Sequence, residues 1–134
     1  MLDGTKPYQY AIWRVVPSAD RGECLNAGVV LVCRPFLGAK VHLDVNCLKA
    51  MAPTLDLDDV ALHLDLLTRI AAGDGAAGPI ADLSATERFH WLTSPANTIV
   101  QPSPVHSGIT ANPQETLDHL FKPLVLRPSA SALP

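Results

Sequence analysis

The chain predicts an α+β fold: a mainly antiparallel sheet, made of an N-terminal three-stranded meander plus one or two later strands, with about three helices packed on it. Three observations lead there. Strand-like segments come in an unbroken run before the first helical pattern, whereas a doubly wound parallel fold alternates strand and helix. One of those strands is apolar on both faces. Two later helices announce themselves through strong start signals.

Tyr8 to Val16 is rich in β-branched and aromatic residues and ends at Pro17, which reads as a strand. Ser18 to Glu23 is a turn or loop. Cys24 to Arg34 reads as a second strand, with Leu25, Val29 and Leu31 on one parity and Val30 and Val32 on the other. Such a strand is usually central and covered on both sides. Asn26 lies on it, and Gly28 marks a bulge or a close backbone contact. Pro35 to Gly38 should turn the chain into a third strand, Ala39 to Asp44, completing the meander.

Asp56 to Ala72 is the clearest helix, because Leu57, Val60, Ala61, Leu64 and Leu67 recur at helical spacing. Asp56 and Asp59 suit its positive end, and Gly73 suits the position just past its last turn. The glycine-rich stretch after it reads as a flexible connector. Ser84-Ala85-Thr86-Glu87 is a capping box, so a short helix should carry Arg88, Phe89, His90 and Trp91. Thr98 to Gln101 and Val105 to Thr110 are strand pieces broken by Pro102 and Pro104, which confine them to a sheet edge or an ordered loop. Asn112-Pro113-Gln114-Glu115 starts the last helix, with Leu117, Leu120, Phe121 and Leu124 as its apolar stripe. One domain over residues 1–126 and a disordered tail over 127–134 are expected.

Composition narrows the function. Hydrophobic residues make up 48% and charged residues 17% of 134, so either the core is generous or a partner covers apolar surface. Net charge is −3 with no run of Lys or Arg, which disfavours nucleic acid. The longest apolar run, Ala27 to Cys33, is far too short to span a membrane, and the N-terminus lacks a signal-peptide pattern. The cysteines, Cys24, Cys33 and Cys47, have no paired spacing, and alternation along the strand would put Cys24 and Cys33 on opposite faces. A cytoplasmic, reduced setting is expected, with no membrane association.

Signatures for phosphate loops, dinucleotide folds, zinc proteases, serine-nucleophile elbows and kinases are all missing. The five histidines show no metal-ligand spacing, so neither a metal nor a cofactor is expected. His63 and Asp59 read as an ordinary surface pair four residues apart. What stands out is a polar set, Arg14, Arg21, Glu23, Asn26, Arg88 and His106. Arg21 and Glu23 flank Gly22 at the mouth of the central strand, either as a local ion pair or as an anion fork with an orienting base. Asn26 must satisfy its amide, which favours an architectural role at a bulge. Arg14 shares its parity with Tyr10, Ile12 and Val16 and so demands a partner, Glu23 being the obvious one. His106, followed by Ser107-Gly108, can titrate, donate to an anion, or pair with Ser103 or Ser107.

Four blocks, YAIWRVVPSADRGECLNAGVVLVCRP, ERFHWLTSP, SPVHSGI and ETLDHLFKPLV, resemble the bacterial domain of unknown function family 3037 in the same order, from about Tyr8 to Val125. Arg14, Pro17, Arg21, Gly22, Glu23, Asn26, Gly28, Arg88, Phe89, Trp91, Pro104, His106 and Gly108 carry the resemblance. It implies an accessory role beside a HipA-like kinase homologue commonly encoded next to such proteins. Two functions follow as expectations: a non-catalytic interaction domain, pairing with that neighbour or with a second copy, or a small enzyme or anion-binding domain using the Arg/Glu/His set.

Overall fold

The computed structural model describes residues 4–126 and bears out the α+β architecture; the expected disordered tail lies outside the described residues. The meander is β1 (Lys6–Ser18), β2 (Glu23–Cys33) and β3 (Phe36–Val41). Cys33 pairs directly with Phe36, so the second turn is tighter than expected and only Arg34 and Pro35 occupy its tip. Phe36 joins the strand because its ring packs against the cluster around Leu117 and Phe121.

Four helices follow from the sequence between and after the strands. The first, α1 (Val45–Met51), had no expectation; it is capped by the Asp44 carboxylate, which accepts from the Cys47 N–H, and it buries Leu48 completely. The expected helix over Asp56–Ala72 is α2 (Leu57–Ala71), with Asp56 accepting from two first-turn N–H groups. The supposed flexible connector is instead two short 3-10 turns, Gly75–Ala77 and Pro79–Asp82. Asp74 organises it by accepting from the Ala76 N–H and the Arg69 Nε–H. Capped by Ser84, α3 (Ala85–Leu92) carries the expected aromatic residues. Asn112 caps α4 (Pro113–Val125) in the same way.

β2 lies between β3 and β1. The outer edge of β1 is shared by β4 (Val100–Pro102) and β5 (His106–Thr110), and every pairing is antiparallel. Trp13, Val15, Ala27 and Val30 face α1, α2 and α3, meeting Val60, Leu64 and Phe89. On the other face Val29, Leu31 and Cys33 meet Leu117, Phe121 and Val125 of α4. The central strand is therefore covered on both sides, as its apolar parities required.

A bulge corrects one sequence-based expectation. Trp13 pairs with Gly28 but Arg14 pairs with Asn26, so Ala27 is the extra residue and parity flips there. Leu25 consequently shares a face with Val30 and Val32, not with Val29 and Leu31. Cys24 ends up beside Pro123 and Leu124 on the α4 face, the same face as Cys33. Both are free thiols, held apart by the length of the strand. Gly28 sits where a Cβ would come within 3.1 Å of Val41, the Trp13 ring and the Lys40 carbonyl, so no larger side chain fits without displacing them.

The break between β4 and β5 has its own stitch. Two prolines remove ladder donors there, and Ser103 replaces them. Its N–H donates to the Ile12 carbonyl at 2.7 Å, and its hydroxyl accepts from the Ile12 N–H at 2.8 Å. The same hydroxyl donates to the Pro104 carbonyl at 2.9 Å, which explains why a serine is 4% exposed here. β5 can then resume along β1.

Candidate functional site

The six residues singled out by sequence do not share a pocket. Arg14, Arg21, Glu23 and Asn26 lie at one end of the β1–β2 hairpin. Arg21 Nε sits 2.6 Å from Glu23 Oε1 in a local ion pair at the surface. Asn26 donates its amide to the Leu124 carbonyl at 2.9 Å. That carbonyl is among the last four of α4, which have no partner within the helix, so the bond ties the helix end to the bulge. Arg14 borders Asn26 on one side and Gln101 on the other, half-buried, with no ion pair among the described residues. The expected Arg14–Glu23 bridge is not formed, because Glu23 is turned to Arg21.

Arg88 lies across the sheet on α3. Its guanidinium donates to the Leu83 carbonyl at 2.7 Å and to the Ala71 carbonyl at 3.4 Å, clamping the end of α2 to the segment that leads into α3. Its Nε is buried without a partner among the described residues. His106 sits on the opposite face, on β5, stacked on Tyr10 with ring centroids 5.2 Å apart. Neither serine pairs with it: Ser103 is committed to the strand break, and Ser107 points to the other face of β5. Among the described residues, no three His, Cys, Asp or Glu side chains gather where they could hold a metal ion.

Two further features lie along the outer side of the sheet. The first is the edge of β5, unpaired among the described residues, on the segment whose flanking prolines pointed to a sheet edge or an ordered loop. Even-numbered residues of β1 direct their backbone groups to this side, as the bonds from Ile12 and Val16 show. Their partners His106, Gly108 and Thr110 therefore face inward, and Ser107 and Ile109 turn their N–H and C=O groups outward. β5 carries no Lys, no Pro and no bulge to blunt that edge, and the Ile109 side chain is 66% exposed. Gly108 allows the Tyr8 ring to lie directly over the strand, where a Cβ would stand 2.6 Å from it.

The second feature is an apolar cleft of about 270 Å³ bounded by Trp13, Leu67, Trp91, Pro95 and Val100. Trp13 donates its indole N–H to the Leu92 carbonyl, fixing the floor of the cleft. Trp91 forms its rim and is 43% exposed. His63 lines the same cleft instead of pairing with Asp59, and burial holds its pKa below the usual histidine value. Trp91 was visible in the sequence as an aromatic on a short helix, but nothing there said that it would stay half-open.

The described residues form an α+β domain, an antiparallel sheet with helices on both faces, in which the six residues singled out by sequence do not converge on one pocket. No helix among the described residues is long and apolar enough to cross a membrane. The chain belongs to the family described as protein of unknown function (DUF3037), whose model matches residues 10–125. No curated protein and no solved structure matches it.

Proposed function

We propose that this chain is a non-catalytic accessory domain that docks on a protein partner, and that the partner is the HipA-like kinase homologue implied by the family resemblance. The observation that carries the reading is the edge of β5, where Ser107 and Ile109 present backbone donors and acceptors beside an exposed Ile109 side chain. An extended segment of a partner can add to such an edge, gaining affinity from main-chain hydrogen bonds and specificity from alternate side chains. The Trp13–Trp91 cleft offers a further anchor of the kind aromatic-rich interfaces use. The alternative, an enzyme or anion site built on the Arg/Glu/His set, gains no support from side chains that lie at separate places on the two faces, with Asn26 and Arg88 spent on backbone carbonyls and Arg21 and Glu23 on one another.

The test is co-expression of the tagged chain with the kinase-like protein encoded beside it. Stoichiometric co-purification is expected, and Ile109→Lys should abolish it without unfolding the chain. A monomer that ignores that neighbour at micromolar concentration would overturn the proposal. Self-association through β5 is the second arm of the same experiment, read by light scattering of the chain alone.

A further inference from the structure

A hollow of about 360 Å³ lies between the sheet and α3, on the face opposite His106, and contains none of the six residues above. The register explains how it is furnished. Gln9 has Val32 as its neighbour on one side and Ser107 on the other, so these three side chains leave the same face in one row. Arg34, two residues past Val32, extends the row at the end of β2. From across the hollow α3 supplies Thr86 and His90, four residues apart and therefore on one side of the helix. Val32 and Phe89 form the apolar inner wall.

Five polar side chains, Gln9, Arg34, Thr86, His90 and Ser107, thus converge on one space. None has a hydrogen-bond or ion-pair partner among the described residues. No carboxylate lines the hollow itself. Glu87 lines an adjoining hollow with Arg34 and Thr86 and accepts from the Ser84 hydroxyl. Uncommitted donors around a guanidinium, with no acid among the residues that line the hollow, suit an anion.

We propose that this hollow binds a small phosphate monoester, with Arg34 as the anchor and Thr86, His90, Ser107 and Gln9 as further donors. The donor count favours phosphate over carboxylate. A carboxylate offers two oxygens and about four lone-pair sites, fewer than an arginine fork, two hydroxyls, an imidazole and an amide supply. A phosphate monoester offers three terminal oxygens. Its organic part must be small, since the space equals about a dozen waters and sits at the low end for ligand pockets. The monoester could belong to a free metabolite or to a phosphorylated side chain, and the phosphate chemistry is common to both.

The experiment is an amide-resolved NMR titration of the intact chain at low ionic strength. The probes are inorganic phosphate, glycerol 3-phosphate and an alanine–phosphoserine–alanine peptide, with acetate as control. Saturable shifts are expected at Gln9, Thr86 and Ser107. Arg34→Gln should weaken phosphate binding at least about tenfold, while Arg14→Gln, an arginine outside the hollow, should leave it unchanged. Because Arg34 is exposed, the variant's melting temperature should match the parent's, which separates lost binding from lost fold. Tighter binding of glycerol 3-phosphate assigns the hollow to a free metabolite, and tighter binding of the peptide assigns it to a phosphorylated residue. The proposal fails if nothing saturates by about 20 mM, if Arg34→Gln binds like the parent, or if acetate binds as well as phosphate.

Discussion

Arg88 and Arg34 occupy the same side of the sheet, and their surroundings could hardly differ more. Arg88 is half-buried, and its guanidinium is consumed by two backbone carbonyls at the end of α2 and ahead of α3. Arg34 stands at a hairpin tip facing a hollow whose polar side chains have no partners among the described residues. Asn26 and Arg21 resemble Arg88 in being committed, one to the end of α4 and the other to Glu23. A charge that looks out of place in an apolar stretch is often there to satisfy backbone. A charge free to bind something else looks ordinary in sequence.

Substitution of the two arginines is the harshest way to break that comparison. Arg88→Met should cost about 2–3 kcal/mol, since two carbonyls lose a charged donor in a partly buried place. Arg34→Met should change stability by no more than about 0.5 kcal/mol, as for most exposed positions. Urea midpoints for the two variants check this directly, and equal losses would erase the distinction. Asn26→Ala comes next, at about 1–2 kcal/mol, because the Leu124 carbonyl is left without its donor. Faster amide exchange confined to the last turn of α4 would show that the loss arises at that contact.

Smaller effects sharpen the picture further. A double-mutant cycle on Arg21 and Glu23 should give a coupling under about 0.5 kcal/mol, because the pair is well exposed and screened. If the coupling proves several-fold larger, that pair is part of something more than a surface contact. His63 gives the mildest signal. Burial lowers its pKa in the folded chain, so the unfolded chain binds the proton more readily. The His63 contribution is therefore full above about pH 6.5 and is lost as pH falls through that value toward the lowered folded pKa. His63→Gln should flatten this part of the stability profile, measured by urea midpoints between about pH 5 and 7.

Much of the fold was legible because it depends on local signals. Asp56, Ser84 and Asn112 cap the helices they were expected to start, and the two apolar parities of β2 marked a strand covered on both faces. Pro102 and Pro104 marked a broken edge, as found. What escaped depends on register. The bulge at Ala27 turned Cys24 and Leu25 to the faces opposite those implied by simple alternation. Helix α1 carries one fully buried apolar residue, Leu48, too little periodicity to read. The candidate sites were the least legible part. Gln9, Ser107 and Arg34 meet only because three strands align them, and the open side of Ser107 and Ile109 follows from which β1 amides point outward.

The edge of β5 carries the functional reading, and amide hydrogen exchange tests it most directly. In the free chain, at concentrations where it is a monomer, Ser107 and Ile109 should exchange quickly, while Gly108, bonded to β1, should be protected. Addition of the co-purified partner should then protect Ser107 and Ile109 selectively. Slow exchange at both positions in the free monomer would contradict the open edge. Fast exchange persisting in the complex would contradict docking through it.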